Sequence, residues 1–156
     1  MCTFTNLGEK KEFLGEEYHS FPSVSSLANQ TEEFYKNIGL GYRAGYIKSV
    51  AQKIVNGYSL EDISALSTEE LKKELISLHG VGPKVADCVA FFGFRRTDSF
   101  PVDTWIEKVY KEDFNGKLID RKKIAVSLVE KFKFNAGYYQ QYLFFYKRQI
   151  KNNDKI

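Results

Sequence analysis

Cysteine, proline and tryptophan are scarce in this sequence. Its 156 residues include two cysteines, three prolines and one tryptophan. The cysteines, Cys2 and Cys88, are too few for a disulfide framework or a four-thiolate iron–sulfur site. Such cysteine usage is typical of a reducing compartment. We therefore expect no cofactor of these kinds and no metal ion held by side chains.

Long apolar runs are also missing. No stretch approaches the roughly 20 apolar residues that a membrane helix needs. The first residues, 1–6, contain no basic stretch followed by an apolar one, so we expect no signal peptide. The sequence therefore predicts an intracellular, cytoplasmic protein. It indicates no membrane partner and no obligate protein partner.

Aromatic side chains, by contrast, are abundant. The chain has 13 phenylalanines and 10 tyrosines, and 43% of its residues are hydrophobic. This is enough apolar material for the core of one domain, which argues against a disordered chain. The net charge of +3 permits an anionic partner without requiring one.

Capping residues and helix-stopping glycines predict an all-α domain. Residues 1–22 show no clean period and no convincing strand alternation, so we interpret them as a tail or entry segment. Residues 23–150 form the predicted helical domain, and residues 151–156 form a second tail. Helices are predicted at about 23–28, 31–38, 43–56, 59–66, 67–80, 83–92, 103–113, 120–132 and 135–150.

A very short connection between two predicted helices carries Gly80, Val81 and Gly82. Glycines allow a tight turn and leave its outer face without side chains. The first amides of the helix that starts at Pro83 have no partner within the helix, and with the helix dipole they favour an anion such as a DNA phosphate. A plain helical hairpin with a glycine cap explains the same residues equally well.

Lys84 lies in the first turn of the helix after this connection. A cation is disfavoured at a helix N-terminus, which favours the neutral amine, a nucleophile that forms Schiff bases. The simpler interpretation is an exposed lysine that contacts phosphate. Cys88 follows one turn later on the same side, where it either lines a pocket beside Lys84 or packs as a small core residue.

Asp103 follows the hairpin helix after a short loop. Its first interpretation is structural, because aspartate is a favoured N-cap residue. A carboxylate near a lysine amine also assists proton transfer or stabilises a sugar cation. The two roles are compatible, since a capping side chain is held in a fixed position.

Five stretches, taken in order, resemble one family of proteins. Together they are similar to the helix-hairpin-helix DNA glycosylases with a Gly/Pro-rich loop and an aspartate, and more narrowly to the 8-oxoguanine DNA glycosylase/lyase branch. The match runs from about Tyr18 to Arg148. The matching stretches are YHSFPS (18–23), LGYRAGY (40–46), LHGVGPKVADC (78–88), FPVD (100–103) and AGYYQQYLF (136–144).

The resemblance implies a bifunctional enzyme of base-excision DNA repair, associated with the nucleoid if the protein is bacterial. Lys84 would attack C1′ of the damaged nucleotide and displace the base, and the resulting Schiff base would permit strand cleavage by β-elimination. Asp103 would be the catalytic carboxylate. Three residues would form the pocket for the flipped base: Gln140 would hydrogen-bond it, while Cys88 and Phe144 would lie on its two sides. Gln140 and Phe144 are four residues apart, so they share one face of a helix.

Further residues would contact double-stranded DNA that contains a damaged base. The hairpin residues 80–82 would hold the backbone phosphate, and a monovalent cation would bind the carbonyls of Ile76, Leu78 and Val81. Tyr42 would wedge into the duplex, and Arg43 would face the orphaned base. Trp105 stands where the family often has a histidine that contacts phosphate. Either its indole N–H donates a hydrogen bond to the phosphate, or the side chain only packs against its neighbours.

The chain departs from the family in its length. The N-terminal sheet domain and the helices that precede the first matching stretch have no counterpart here, so we expect a truncated member whose lesion specificity is in doubt. Two alternatives stay open: a glycosylase for another oxidised base, and a DNA-binding fragment without catalysis.

Overall fold

The computed structural model describes residues 7–153, with side chains for residues 7–150. Cys2 lies outside the described residues. The described chain divides into two compact units. The first consists of residues 7–63 and Leu78–Gly80, and the second of Ser64–Ser77 and residues 81–153. Among the described residues, no helix is long and apolar enough to cross a membrane.

The first unit begins with a β-hairpin that the sequence analysis did not predict. Strands β1 (Lys10–Phe13) and β2 (Glu16–His19) pair antiparallel, and Leu14 and Gly15 form the turn with φ of 53° and 80°. All eight strand residues are exposed. The hairpin therefore buries no face, and it lacks the alternation of apolar and polar residues by which strands are recognised.

The helices of the first unit follow the predicted caps closely. Ser23 and Thr31 cap α1 (Val24–Ala28) and α2 (Glu32–Tyr35), which a wider turn over Lys36–Leu40 follows. Next come α3 (Arg43–Val55) and α4 (Leu60–Ser64). A small core unites α1, α2, the wider turn and α3, and its buried residues are Leu27, Tyr35, Ala44 and Ala51.

The second unit contains the remaining helices. Ser67 and Glu70 form the predicted capping box at the start of α5. The helices are α5 (Thr68–Ile76), α6 (Pro83–Cys88), α7 (Thr104–Lys108), α8 (Arg121–Phe132) and α9 (Ala136–Asn153). One cluster of its buried core comprises Phe100, Val102, Ile106, Tyr110, Ile124, Leu128 and Ala136.

The prediction of an all-α fold is confirmed, with differences at the ends of helices. α6 and α7 each continue into a wider, π-helical turn, over Val89–Gly93 and Val109–Asp113. Asn135, predicted to cap the last helix, instead belongs to a short 3₁₀ turn, Lys133–Asn135. α9 extends to Asn153, into the segment predicted as a tail.

Candidate functional site

The connection between α5 and α6 is longer than the sequence predicts. α5 ends at Ile76 rather than at Gly80, because the Ser77 hydroxyl donates to the Glu74 carbonyl over 2.7 Å and competes with the helix backbone. Gly80 has φ of 83°, which favours glycine. Gly82 is extended and precedes α6, with Pro83 as its first residue, as predicted.

Lys84 lies at the second position of α6 and its side chain is exposed. Gly82 supplies no side-chain cap to the first turn, and its carbonyl accepts from the Ala86 amide over 2.9 Å. Apart from Gly82 and its two chain neighbours, no described residue has an atom within 4 Å of the position that a Cβ on Gly82 would take. The start of α6 therefore offers uncapped amides, open space and a primary amine, which is the combination that an anionic backbone requires.

Asp103 is the N-cap of α7, as predicted. Its Oδ1 accepts from the backbone amides of Trp105 and Ile106, both over 2.9 Å. These bonds leave Oδ2 unused by the cap. The preceding residues, Phe100–Val102, are buried, and the cap fixes the side chain from the other end. Asp103 is thus a half-buried carboxylate with one oxygen held and one oxygen available.

Gln140 is tied to the segment that carries Asp103. The Gln140 side chain is buried, its residue being 4% exposed, and its Nε2 donates to the Pro101 carbonyl over 3.1 Å. Its Oε1 accepts from the side chain of Gln141. The sequence analysis placed Gln140 in a base pocket but did not foresee this bond, which joins α9 to the approach to α7.

Three other predicted site residues of the second unit lie half-buried. Phe144 packs against the core, and the Arg148 guanidinium lies 5.3 Å from its ring centroid. The ammonium of Lys108 lies 5.4 Å from the Trp105 ring centroid. Cys88 ends α6 and is a free thiol. The base-pocket roles of Phe144 and Cys88 and the DNA contact of Trp105 stay predictions.

A buried carboxylate on α6 was missed by the sequence analysis. Asp87 lies 3.4 Å from the Lys72 ammonium on α5, and its Oδ1 accepts from the Ser99 hydroxyl over 3.0 Å. The same hydroxyl donates to the Asp87 carbonyl over 3.1 Å. The network therefore joins the helix that carries Lys84 to α5 and to the segment that leads to Asp103.

Burial and pairing act in opposite directions on the pKa values of Asp87 and Lys72. Burial raises the pKa of Asp87 against the opposing attraction of Lys72 and the hydrogen bond from Ser99. Burial also opposes the charge on Lys72, but the hydrogen bond to Glu69 and the charge of Asp87 outweigh it and raise its pKa. The sequence analysis missed Asp87 because a single aspartate within a predicted helix does not indicate whether its side chain is buried.

In the first unit, Tyr42 and Arg43 lie at the start of α3. The Tyr42 residue is 69% exposed, and the Arg43 guanidinium lies 4.6 Å from its ring centroid. Tyr42 contacts Tyr46 edge-to-face with centroids 5.9 Å apart, and Tyr46 contacts His79 in the same way at 4.8 Å. Neither Tyr46 nor His79 was assigned a role from the sequence, although the spacing of the two tyrosines indicates one helix face.

Metal binding by side chains has no candidate in residues 7–153, where no group of three or more ligating side chains occurs. The monovalent cation predicted on the carbonyls of Ile76, Leu78 and Val81 rests on the family resemblance and stays a prediction.

Comparison with known proteins identifies relatives over nearly the whole chain. Residues 2–133 match the model of the HhH-GPD superfamily of base excision DNA repair proteins. The chain is 29% identical to the probable N-glycosylase/DNA lyase of Methanothermobacter thermautotrophicus, over 96% of this chain and 54% of the relative. It is 34% identical to the N-glycosylase/DNA lyase of Saccharomyces cerevisiae, over 73% of this chain and 38% of the relative.

Among solved structures, the chain resembles the 8-oxoguanine glycosylase/lyase of Clostridium acetobutylicum in complex with double-stranded DNA that contains cytosine opposite 8-oxoguanine. The TM-score is 0.88 with 37% identity, over 96% of this chain and 53% of that protein. The chain spans about half the length of this protein and of the archaeal relative.

Proposed function

Because the chain belongs to the HhH-GPD superfamily of base excision DNA repair proteins, we propose that it removes 8-oxoguanine from double-stranded DNA as a bifunctional glycosylase and abasic-site lyase. The observation that carries this proposal is the exposed Lys84 amine at the uncapped start of α6, in a fold that resembles an 8-oxoguanine glycosylase/lyase bound to DNA. A DNA substrate implies that the protein acts inside the cell.

The proposed reaction starts at Lys84. Its neutral amine attacks C1′ of the damaged nucleotide, the bond from C1′ to the base breaks, and the base leaves with the bonding electrons and a proton. Opening of the sugar ring gives a Schiff base between C1′ and the amine. Loss of a C2′ proton and of the 3′ phosphate then cleaves the strand, and water releases Lys84.

Asp103 supplies the fixed negative charge for these steps. A carboxylate beside the sugar stabilises the positive charge that develops as the base departs, and it assists transfer of the amine proton. The cap supports this role, since two backbone amides hold Oδ1 while Oδ2 stays available.

The open hairpin supplies the proposed DNA contact. A phosphate at the start of α6 would meet uncapped amides and the Lys84 side chain, and the missing side chain at Gly82 lets the backbone approach closely. Tyr42 is the proposed wedge, and Arg43 would face the orphaned base. Gln140 with Phe144 and Cys88 forms the proposed pocket for the flipped base.

Borohydride trapping tests the proposal. The chain is incubated with duplexes that carry a single 8-oxoguanine, a single thymine glycol, an abasic site or no damage, and the Schiff base is reduced to a stable covalent adduct. We expect adducts with 8-oxoguanine and the abasic site. An adduct with thymine glycol but not with 8-oxoguanine would show that the enzyme acts on another oxidised base. No adduct with any duplex would support the alternative of a DNA-binding protein without catalysis.

A further inference from the structure

A row of side chains in contact connects the proposed wedge to the hairpin within the first unit. It runs from Arg43 over Tyr42 to Tyr46 and ends at His79, with ring separations of 5.9 and 4.8 Å between the three rings. His79 directly precedes Gly80 in the hairpin. We call these four residues the aromatic row.

The backbone around Tyr42 does not by itself fix the orientation of the Tyr42 ring. The preceding turn contains Gly39 and Gly41, both with positive φ, and Tyr42 makes no side-chain capping hydrogen bond at the start of α3. Glycines increase the number of conformations open to such a turn. The orientation of the exposed Tyr42 ring therefore depends on the side chains that it contacts, Arg43 and Tyr46.

Tyr46 is held much more firmly. It lies one turn into α3, and its ring occupies the space that a side chain at Gly80 would fill, with Cγ 2.2 Å from the ideal Cβ position. The His79 ring also contacts the Tyr46 ring, edge-to-face with centroids 4.8 Å apart. Tyr46 is therefore fixed against the hairpin, and it presents a rigid surface to Tyr42.

We propose that Tyr46 and His79 are positioning residues that fix the Tyr42 wedge relative to Gly80, the hairpin residue that belongs to the first unit. This inference rests on the proposed function, because it assumes that Tyr42 enters the duplex. A wedge that is oriented before binding loses less conformational freedom when DNA arrives, so specific binding is stronger. Tyr46 and His79 touch neither the reacting sugar nor the base in this proposal.

The inference is tested with a duplex that carries a tetrahydrofuran abasic analogue opposite 2-aminopurine. The emission of 2-aminopurine rises when the base loses its stacking, so it reports insertion of the wedge. The analogue has neither a base to displace nor a C1′ hydroxyl, so the readout is independent of Lys84 chemistry and of the success of trapping.

We expect wild-type protein to raise the emission, and Tyr46→Ala and His79→Ala to reduce that rise about 2- to 10-fold at equal protein concentration, the range for one or two aromatic contacts. Tyr46→Phe and His79→Phe keep the rings and should restore it. Phe134→Ala removes an aromatic side chain that is 74% exposed and lies outside the row, and it serves as the matched control.

His79 is exposed, so His79→Ala remains informative even if Tyr46→Ala unfolds the protein. The inference is overturned if His79→Ala and a folded Tyr46→Ala give the wild-type rise, if the phenylalanine variants fail to restore it, or if wild-type protein gives no rise. Absence of trapping together with a normal fluorescence pattern would contradict the proposed lyase chemistry and leave the positioning role intact.

Discussion

The ring of Tyr46 fills the space beside Gly80. A Cβ atom built on Gly80 would lie 2.2 Å from Cγ and 2.8 Å from Cβ of Tyr46, and Gly80 has φ of 83°. The atoms in conflict belong to the base of the tyrosine side chain, which cannot move away without a change in α3. The hairpin therefore requires glycine here for two independent reasons, its backbone conformation and its contact with Tyr46.

The first prediction concerns the two glycines of the hairpin. Gly80→Ala should lower the free energy of unfolding by at least about 2 kcal/mol, through left-handed strain and overpacking. Gly82→Ala should lower it by less than about 1 kcal/mol, because Gly82 is extended and its surroundings are open. Urea denaturation of both variants checks this difference, and equal losses of stability would contradict it.

A second prediction separates the two roles of Asp103. Asparagine is as good an N-cap as aspartate, so Asp103→Asn should keep the cap of α7 and most of the stability. The same variant should slow base excision about 10²- to 10⁴-fold, because the charge is lost. Asp103→Ala should in addition lower the free energy of unfolding by about 1 kcal/mol. Single-turnover cleavage and thermal unfolding measure the two effects, and a fully active Asp103→Asn would remove Asp103 from the mechanism.

A third prediction concerns Gln140, whose amide holds the Pro101 carbonyl. Gln140→Leu should leave this carbonyl without its partner and cost about 1 to 3 kcal/mol of stability. If Gln140 also reads the flipped base, excision of 8-oxoguanine should fall roughly tenfold more than cleavage of a preformed abasic site, as expected for one lost hydrogen bond. Equal losses on the two substrates would show that Gln140 acts only through the Pro101 contact.

The buried Asp87 predicts a particular dependence of stability on pH. The pKa of Asp87 in the folded state is raised above 3.8, its ordinary value in an unfolded chain. Between the unfolded-state pKa and the raised folded-state pKa, the folded state therefore binds more protons than the unfolded state. The contribution of Asp87 to the free energy of unfolding therefore decreases as pH rises through that window, by about 1.4 kcal/mol per pH unit at most. Asp87→Asn should remove this contribution.

Urea denaturation at several pH values from about 4 to 7 provides the check, with Asp98→Asn as the control. Asp98 lies close in sequence but is exposed. The wild type and Asp98→Asn should share the dependence on pH that Asp87→Asn lacks. Identical profiles for all three proteins would contradict the buried position of Asp87.

The helices and most of their starts could be predicted from the sequence, because capping is local chemistry. The side chains of Ser67, Asp103 and Asp120 each accept from backbone amides two or three residues later in the chain, as their spacing indicates. The Glu70 carboxylate accepts in return from the Ser67 amide. The β-hairpin escaped prediction because all of its residues are exposed and no apolar alternation marks it.

Contacts between distant segments could not be predicted in the same way. The bond from Gln140 to Pro101, the network of Asp87 with Lys72 and the packing of Tyr46 on Gly80 all join residues far apart in sequence. Local periodicity carries no information about such pairs. The resemblance to a family identified candidate site residues such as Lys84 and Gln140, but it did not indicate which contacts fix their positions.

The most direct test of the account is borohydride trapping with Lys84→Gln. The substitution removes the amine from an exposed position, so it should leave the fold and its melting temperature nearly unchanged. Wild-type protein should form a covalent adduct with duplexes that contain 8-oxoguanine or an abasic site, and Lys84→Gln should form none. An undiminished adduct in the Lys84→Gln variant, or no adduct with the wild-type protein, would contradict the central claim that Lys84 is the nucleophile.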